Sequence, residues 1–211
     1  MKNNKIFIIY VFLLILFVSI LKNINCKCID IPFLTNEMIY FYQFILHIFL
    51  ILPKYGYFQE KITHDYLHYV IRCRSKVSLY HLLIKGCLQF VFVITMIKII
   101  VEGIAFHYFN FYISLIYGFY LLFMMMSYLC FELFLSKETA LICIGLYLAV
   151  SLSIGDLLYE NHLNDFIYLF IPNLIYQSRN DQLILSIVLL SVLNLLIFSI
   201  GKKMISKKDL L

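Results

Sequence analysis

The sequence predicts an all-α, polytopic integral membrane protein with about six transmembrane helices. Three features support this prediction: a very apolar composition, apolar stretches near the length of a bilayer crossing, and basic residues on alternate loops. Of 211 residues, 63% are hydrophobic and 14% are charged. This is more apolar surface than a soluble core of that size can bury, so the chain is expected in a lipid bilayer.

A helix needs roughly 20 apolar residues to cross about 30 Å of hydrocarbon. The first apolar run follows Lys2 and Lys5 and is expected to stay as an uncleaved span, because no small-x-small cleavage site comes after it. The predicted spans are residues 6–21, 33–52, 79–100, 111–135, 140–158 and 183–200. With no linker or repeat between them, they form one transmembrane domain, residues 1–211.

Basic residues fall mainly on one side of these spans. With the N-terminus inside, the inner segments are residues 1–5, 53–78, 136–139 and the C-terminal tail, and they hold most of the 17 lysines and arginines. Because such residues are retained in the cytoplasm, both termini are predicted to be cytoplasmic, in a multi-pass protein of the cell membrane. The same bias explains the net charge of +5, so nucleic acid is not an expected partner.

The inner loop contains ITHDYLHYVIRCRSK, residues 62–76, which raises a metal hypothesis. His64 and His68 stand one helical turn apart, as in the H-E-x-x-H site of zinc proteases. Asp65 is shorter than the glutamate of that site, and no third ligand follows at a recognisable spacing. We therefore expect no metal, no cofactor and no enzymatic activity, with a membrane metalloprotease using His64 and His68 as the weakest alternative.

The same stretch favours an amphipathic helix over about residues 60–77. Its apolar stripe consists of Ile62, Tyr66, Tyr69, Cys73 and Val77. Its charged side carries Asp65, His68, Arg72 and Lys76. Such a helix can rest its stripe on the spans while the charged side meets a cytoplasmic partner. The alternative is a solvated loop helix without a partner.

Two short patterns and the overall layout carry a family resemblance. The inner loop reads His64-Asp65-Tyr66, then Arg72-Cys73-Arg74-Ser75-Lys76, and the tail reads Gly201-Lys202-Lys203 and then Lys207-Lys208-Asp209-Leu210. This arrangement resembles the permease subunits of type-two ABC exporters, in a short bacterial form. In that family the loop between spans two and three holds a coupling helix that rests on an ATPase subunit, and an external hairpin between spans five and six dips into the bilayer.

The resemblance implies a permease subunit of an exporter, with a cytoplasmic ATP-binding subunit and a second permease copy or paralogue as partners. No G-x-x-x-x-G-K-[ST] motif occurs in the sequence, so ATP would be bound by the partner. The hairpin would be residues 160–178, whose apolar run is broken by Pro172. The expected ATPase dock is Asp65, Tyr66, Arg72, Arg74 and Lys76. The alternative function is a non-transporting membrane protein, such as an immunity, accessory or sensor-associated subunit.

Ionisable groups inside spans are costly and therefore informative. Lys98 and Glu102 stand four residues apart and are expected to pair on one helix face. His47 is expected to form a hydrogen bond between helices. Glu132 could reach the headgroups, pair with Lys85 or Lys137, or line a transport pathway, and pairing is favoured over the pathway.

Overall fold

The computed structural model describes residues 2–23, 37–57, 59–60, 75–107, 109–176 and 182–207. Over these residues all regular secondary structure is helical, which confirms the predicted all-α class. The helices are α1 (Lys2–Asn23), α2 (Glu37–Ile51), α3 (Lys76–Phe106), α4 (Phe111–Glu132), α5 (Lys137–Glu160) and α6 (Leu183–Lys207). Three short 3-10 helices are Leu52–Lys54, Asn164–Leu169 and Ile171–Ile175.

Four of the helices, α3 to α6, are long and apolar enough to cross a bilayer. Over an 18-residue window, the mean hydropathy is 2.0 in α3, 1.8 in α4, 1.7 in the Lys137–Gly155 part of α5 and 2.8 in α6. Helices α1 and α2 contain shorter apolar stretches, Ile8–Leu21 and Phe41–Lys54. These four helices have the length and composition of membrane spans, whereas six crossings and the side of each terminus stay predictions.

Helix α4 lies at the centre of the bundle. It packs against α2, α3, α5, α6 and the Ile171–Ile175 segment, and 61% of its apolar window is buried, compared with 17% for α6. The consecutive residues Met124, Met125 and Met126 are all buried. Since successive residues are turned by about 100° around a helix, three in a row can be buried only where neighbours cover most of its circumference.

Side-chain caps fix the starts of α3 and α4. The Ser75 hydroxyl accepts a hydrogen bond from the Ser78 N–H at 3.2 Å, so α3 begins at Lys76. The Asn110 side chain accepts one from the Ile113 N–H at 3.3 Å at the start of α4. Both capping residues have extended backbone, as a residue just before a helix does.

The bundle has two chemically different ends. At one end lie the segment after α2, the start of α3, the turn between α4 and α5, and the end of α6. We call it the basic end, after Lys54, Lys76, Lys137, Lys202, Lys203 and Lys207. The far end holds the turn between α3 and α4 and residues 161–176. Contacts such as the Tyr80 and Phe198 rings, 5.6 Å apart, join the start of α3 to the end of α6.

Candidate functional site

Most of the predicted ATPase dock lies outside the described residues. This applies to Asp65, Tyr66, Arg72 and Arg74, whereas Lys76 is the first residue of α3 and is half-buried. The histidines of the metal hypothesis, at positions 64 and 68, also fall outside. Within the described ranges, no group of three or more His, Cys, Asp or Glu residues is placed to hold a metal ion.

The residues on either side of 61–74 belong to the bundle. Those on the N-terminal side, after α2, are anchored by polar contacts. The segment after α2 folds over the turn between α4 and α5. The Tyr55 hydroxyl donates a hydrogen bond to Glu138 Oε1 at 3.0 Å, and Gln59 Nε2 donates to the Leu135 carbonyl at 3.4 Å. We call this site the turn cluster and define it as Tyr55, Gly56, Gln59, Tyr128, Glu132 and Glu138.

Two backbone N–H groups of the segment donate into α4. The Gly56 N–H donates to the Tyr128 hydroxyl at 3.3 Å, and the Gln59 N–H donates to Glu132 Oε1 at 3.5 Å. Gly56 has φ of 70°, which favours glycine, and a Cβ added there would lie 3.2 Å from Lys137 Cδ. The path of the chain from α2 onto α4 therefore depends on this glycine.

Charged groups lie in two places in the turn cluster: beside the Tyr55 ring at its rim, and buried beneath the segment after α2. Partial desolvation, together with the hydrogen bond to Glu138, raises the pKa of Tyr55. The Lys137 ammonium lies over the Tyr55 ring, 5.3 Å from its centroid. Glu132 is 1% exposed and lies under the segment, where a backbone donor 73 residues away in sequence reaches it. Sequence spacing gives no signal for that donor, and the role of Glu132 in a pathway stays a prediction.

A second polar site lies between the helices, towards the far end. Lys98 Nζ and Glu102 Oε2 are 2.8 Å apart, and their side chains are 1% and 7% exposed. This confirms the predicted pairing. The Lys98 ammonium also lies 4.8 Å from the centroid of the Tyr117 ring on α4. We call this site the ion-pair cluster and define it as Gln43, His47, Lys98, Glu102, Tyr117 and Tyr176.

Two long-range hydrogen bonds join residues 171–176 to the bundle, one of them within the ion-pair cluster. The Tyr176 hydroxyl donates to Gln43 Oε1 at 2.7 Å across 133 residues of sequence. Asn173 Nδ2 donates to the Ser151 carbonyl of α5 at 2.7 Å, and residues 171–176 are all buried. Residues 171–176 of the segment predicted as an external hairpin are therefore packed inward with the help of polar contacts. Whether it enters the bilayer stays a prediction.

His47 corrects one expectation. Its Nδ1 hydrogen-bonds to the Gln43 carbonyl at 2.7 Å, within α2 rather than between helices. Its ring contacts Tyr120 edge-on, with centroids 5.3 Å apart, and its Nε2 has no hydrogen-bond partner among the described residues. Beside it is a cavity of about 20 Å³, which has room for about one water molecule. The ion-pair cluster is therefore nearly filled by its own side chains.

Comparisons with known proteins add one finding. No curated protein and no solved structure matches this chain. The family described as "Protein of unknown function (DUF2705)" matches it over residues 2–211. Because this match covers nearly the whole sequence, the chain belongs to the DUF2705 family.

Proposed function

We propose that the chain is the membrane-spanning permease subunit of an ABC exporter, driven by a separate cytoplasmic ATP-binding subunit. Helices α1 to α6 would be six crossings of the cell membrane, with the basic end and both termini in the cytoplasm. The lysines gathered at the basic end support this orientation, because basic residues favour the cytoplasmic side.

The observation that carries the proposal is how the two ends of residues 61–74 are held. Before them, Gln59 and Tyr55 are hydrogen-bonded to the α4–α5 turn. After them, the Ser75 hydroxyl caps α3. We call residues 61–74 the coupling segment, because a force on it would be delivered to α4 and α5 on one side and to α3 on the other.

The mechanism we propose follows from this connection. Closure of two ATP-binding subunits around ATP would press on the predicted dock, which is Asp65, Tyr66, Arg72 and Arg74 of the coupling segment together with Lys76 at the start of α3. The anchored ends would tilt α2 and α3 against α5 and α6 of a second permease copy or paralogue. A cleft between the two permeases would then alternate between the faces of the membrane. A second copy is needed because the polar interior of one chain holds a cavity of about 20 Å³, too small for a substrate.

The direct test is co-purification with an ATP-binding subunit encoded beside this chain. The parent chain is expected to retain the subunit, and the triple variant Asp65→Lys, Arg72→Glu, Arg74→Glu is expected to lose it, because complementary charges fix such a contact. Lys202→Glu is the matched control: it lies at the basic end on an exposed site and gives the same net change in charge. Retention by the triple variant would refute the proposed dock.

The orientation is tested by labelling single cysteines with a membrane-impermeant maleimide. Substitutions of exposed residues at Glu60 and Lys202 should be labelled from the cytoplasmic side alone, and one at His162, at the far end, from the outside alone. Labelling of position 60 from outside would remove the coupling segment from reach of any cytoplasmic ATPase.

A non-transporting accessory or immunity subunit is the second candidate, and the nearly filled ion-pair cluster favours it. The two functions differ in whether the helices move when the ATPase binds ATP. Spin labels at Ile104 of α3 and Leu157 of α5, both exposed at the far end, should change separation when ATP and vanadate are added to an exporter complex. An unchanged distance distribution in a complex that retains its ATPase would favour the accessory function.

A further inference from the structure

An apolar groove of about 330 Å³ runs between α4, α5 and α6. Phe123 and Phe131 line it on α4, Cys143 and Tyr147 on α5, and Ile197 and Ile200 on α6. Phe131 is 42% exposed and Ile200 is 52% exposed, so the groove is open along the outside of the bundle. Its size is at the lower end of the range of ligand sites, about 300–1,000 Å³.

The groove is oriented towards the basic end. Its α4 wall ends at Phe131, one residue before the helix ends, and its α6 wall ends at Ile200, seven residues before Lys207. On the α5 side it begins near Cys143, two turns after the start of that helix. A linear apolar chain lying in the groove would therefore have one end close to the charged rim of the bundle.

Two exposed lysines continue the groove face of α6 beyond the groove itself. Lys203 and Lys207 come three and seven residues after Ile200, positions that share one face of a helix. Lys202 is also exposed but lies about 200° around the helix from Ile200. An apolar channel that ends below two like-charged ammonium groups is complementary to a molecule with an anionic head and an apolar tail.

We propose that this groove binds an anionic phospholipid, with one acyl chain between α4, α5 and α6 and the net negative headgroup at Lys203 and Lys207. The inference depends on the chain residing in a bilayer and not on any role in transport. Basic residues next to an anionic lipid surface each strengthen binding about fivefold, so the two lysines together should be worth roughly 25-fold.

The test is native mass spectrometry of the full chain in detergent, titrated with dioleoyl phosphatidylglycerol or dioleoyl phosphatidylcholine. The parent should bind phosphatidylglycerol more tightly, by roughly 25-fold. The double variant Lys203→Gln, Lys207→Gln should lose that preference, and the control Lys202→Gln should keep it. All three sites are exposed, so folding should be unaffected.

A groove variant tests the position of the acyl chain. Ile200→Trp fills the mouth from an exposed position and should weaken both lipids. Equal binding of the two lipids by the parent, or equal loss of preference in Lys202→Gln and in the double variant, would overturn the proposal. Binding of both lipids unchanged by Ile200→Trp would place the lipid elsewhere. Glycerol phosphate displacing phosphatidylglycerol at equal concentration would show a phosphate site without an acyl-chain site, and would also overturn it.

Discussion

The ion-pair cluster and the turn cluster both bury a glutamate, but they satisfy it in different ways. Glu102 has a charged partner on its own helix, Lys98, at 2.8 Å. Glu132 lies at a helix end, where a backbone N–H from a crossing segment reaches it at 3.5 Å. Among apolar helices all backbone donors are used within the helices themselves, so a carboxylate there depends on side chains. At a helix end, loop backbone can serve the same purpose.

The two clusters also join different parts of the molecule. The ion-pair cluster connects α2, α3 and α4 with the Tyr176 segment through side chains inside the bundle. The turn cluster connects the segment after α2 to α4 and to the α4–α5 turn through hydrogen bonds at one end of the bundle. We therefore expect damage to the ion-pair cluster to lower the stability of the whole bundle, and damage to the turn cluster to act mainly on the loop.

The largest effect is expected at the ion pair. Glu102→Leu leaves the Lys98 ammonium buried without the carboxylate beside it, and should lower the free energy of unfolding by about 3–5 kcal/mol. The double variant Lys98→Met, Glu102→Leu should recover most of that loss, because an apolar pair of similar volume replaces both charges. Unfolding titrations in mixed micelles measure both.

Lys85→Met is the control for this pair, since Lys85 is an exposed lysine on the same helix, α3. It should change the free energy of unfolding by less than about 0.5 kcal/mol. If Glu102→Leu costs no more than Lys85→Met, the ion pair does not set the stability of the bundle and the contrast between the clusters fails.

A smaller effect is expected where the ion-pair cluster meets the chain segment before α6. Tyr176→Phe removes the donor to Gln43 Oε1 and leaves a buried acceptor, at a cost of about 1–2 kcal/mol. The same micelle titrations apply, with Tyr112→Phe as the control, because Tyr112 is exposed on α4. A double-mutant cycle with Gln43→Leu should show coupling, and additive losses would contradict the bond.

The turn cluster should respond more weakly. Tyr128→Phe keeps the buried ring but removes the oxygen that accepts from the Gly56 N–H, costing about 0.5–1 kcal/mol. The variant should be easier to detect by a local measurement. Hydrogen exchange of the Gly56 amide should speed up while exchange in the middle of α3 stays unchanged. Equal acceleration at both places would mean that the turn cluster supports the whole bundle.

The smallest effect is a pH dependence at the rim. Since the pKa of Tyr55 is raised on folding, its contribution is fully present below the ordinary tyrosine pKa of about 10 and is lost as pH rises through the higher folded value. Stability curves of the parent and Tyr55→Phe should therefore approach each other in that alkaline range. Constant separation across it would show that the Tyr55–Glu138 bond does not respond to pH.

The sequence predicts the features that depend on composition or on residues close together in the chain. The helical class follows from composition, and the Lys98–Glu102 pair follows from spacing, because residues four apart share a helix face. That pair also explains why α3 continues to Phe106, beyond the predicted span 79–100: two charges that neutralise each other need not mark the end of an apolar helix. The Ser75 cap was not predicted: the amphipathic pattern was extended through it to residue 77, whereas Ser75 has extended backbone and α3 begins at Lys76.

The contacts that define the sites were beyond sequence reasoning. Gln43 and Tyr176 are 133 residues apart, and Gln59 reaches Glu132 across 73, so each depends on how helices pack. For His47, a contact between helices was predicted and a contact within one helix is found. The carbonyl four residues earlier satisfied its Nδ1 locally, where a partner on another helix had been expected.

The central position of α4 has a consequence for how the DUF2705 family changes over evolution. A helix covered on nearly every side cannot exchange a methionine for a bulkier or smaller residue without a matching change in a neighbour. The outward face of α6 is covered by none of the described residues, so packing within the chain does not restrict its aliphatic side chains. Across relatives, α4 should therefore show changes in side-chain volume that are paired with changes in its neighbours, while changes on the exposed face of α6 should lack such partners within the chain.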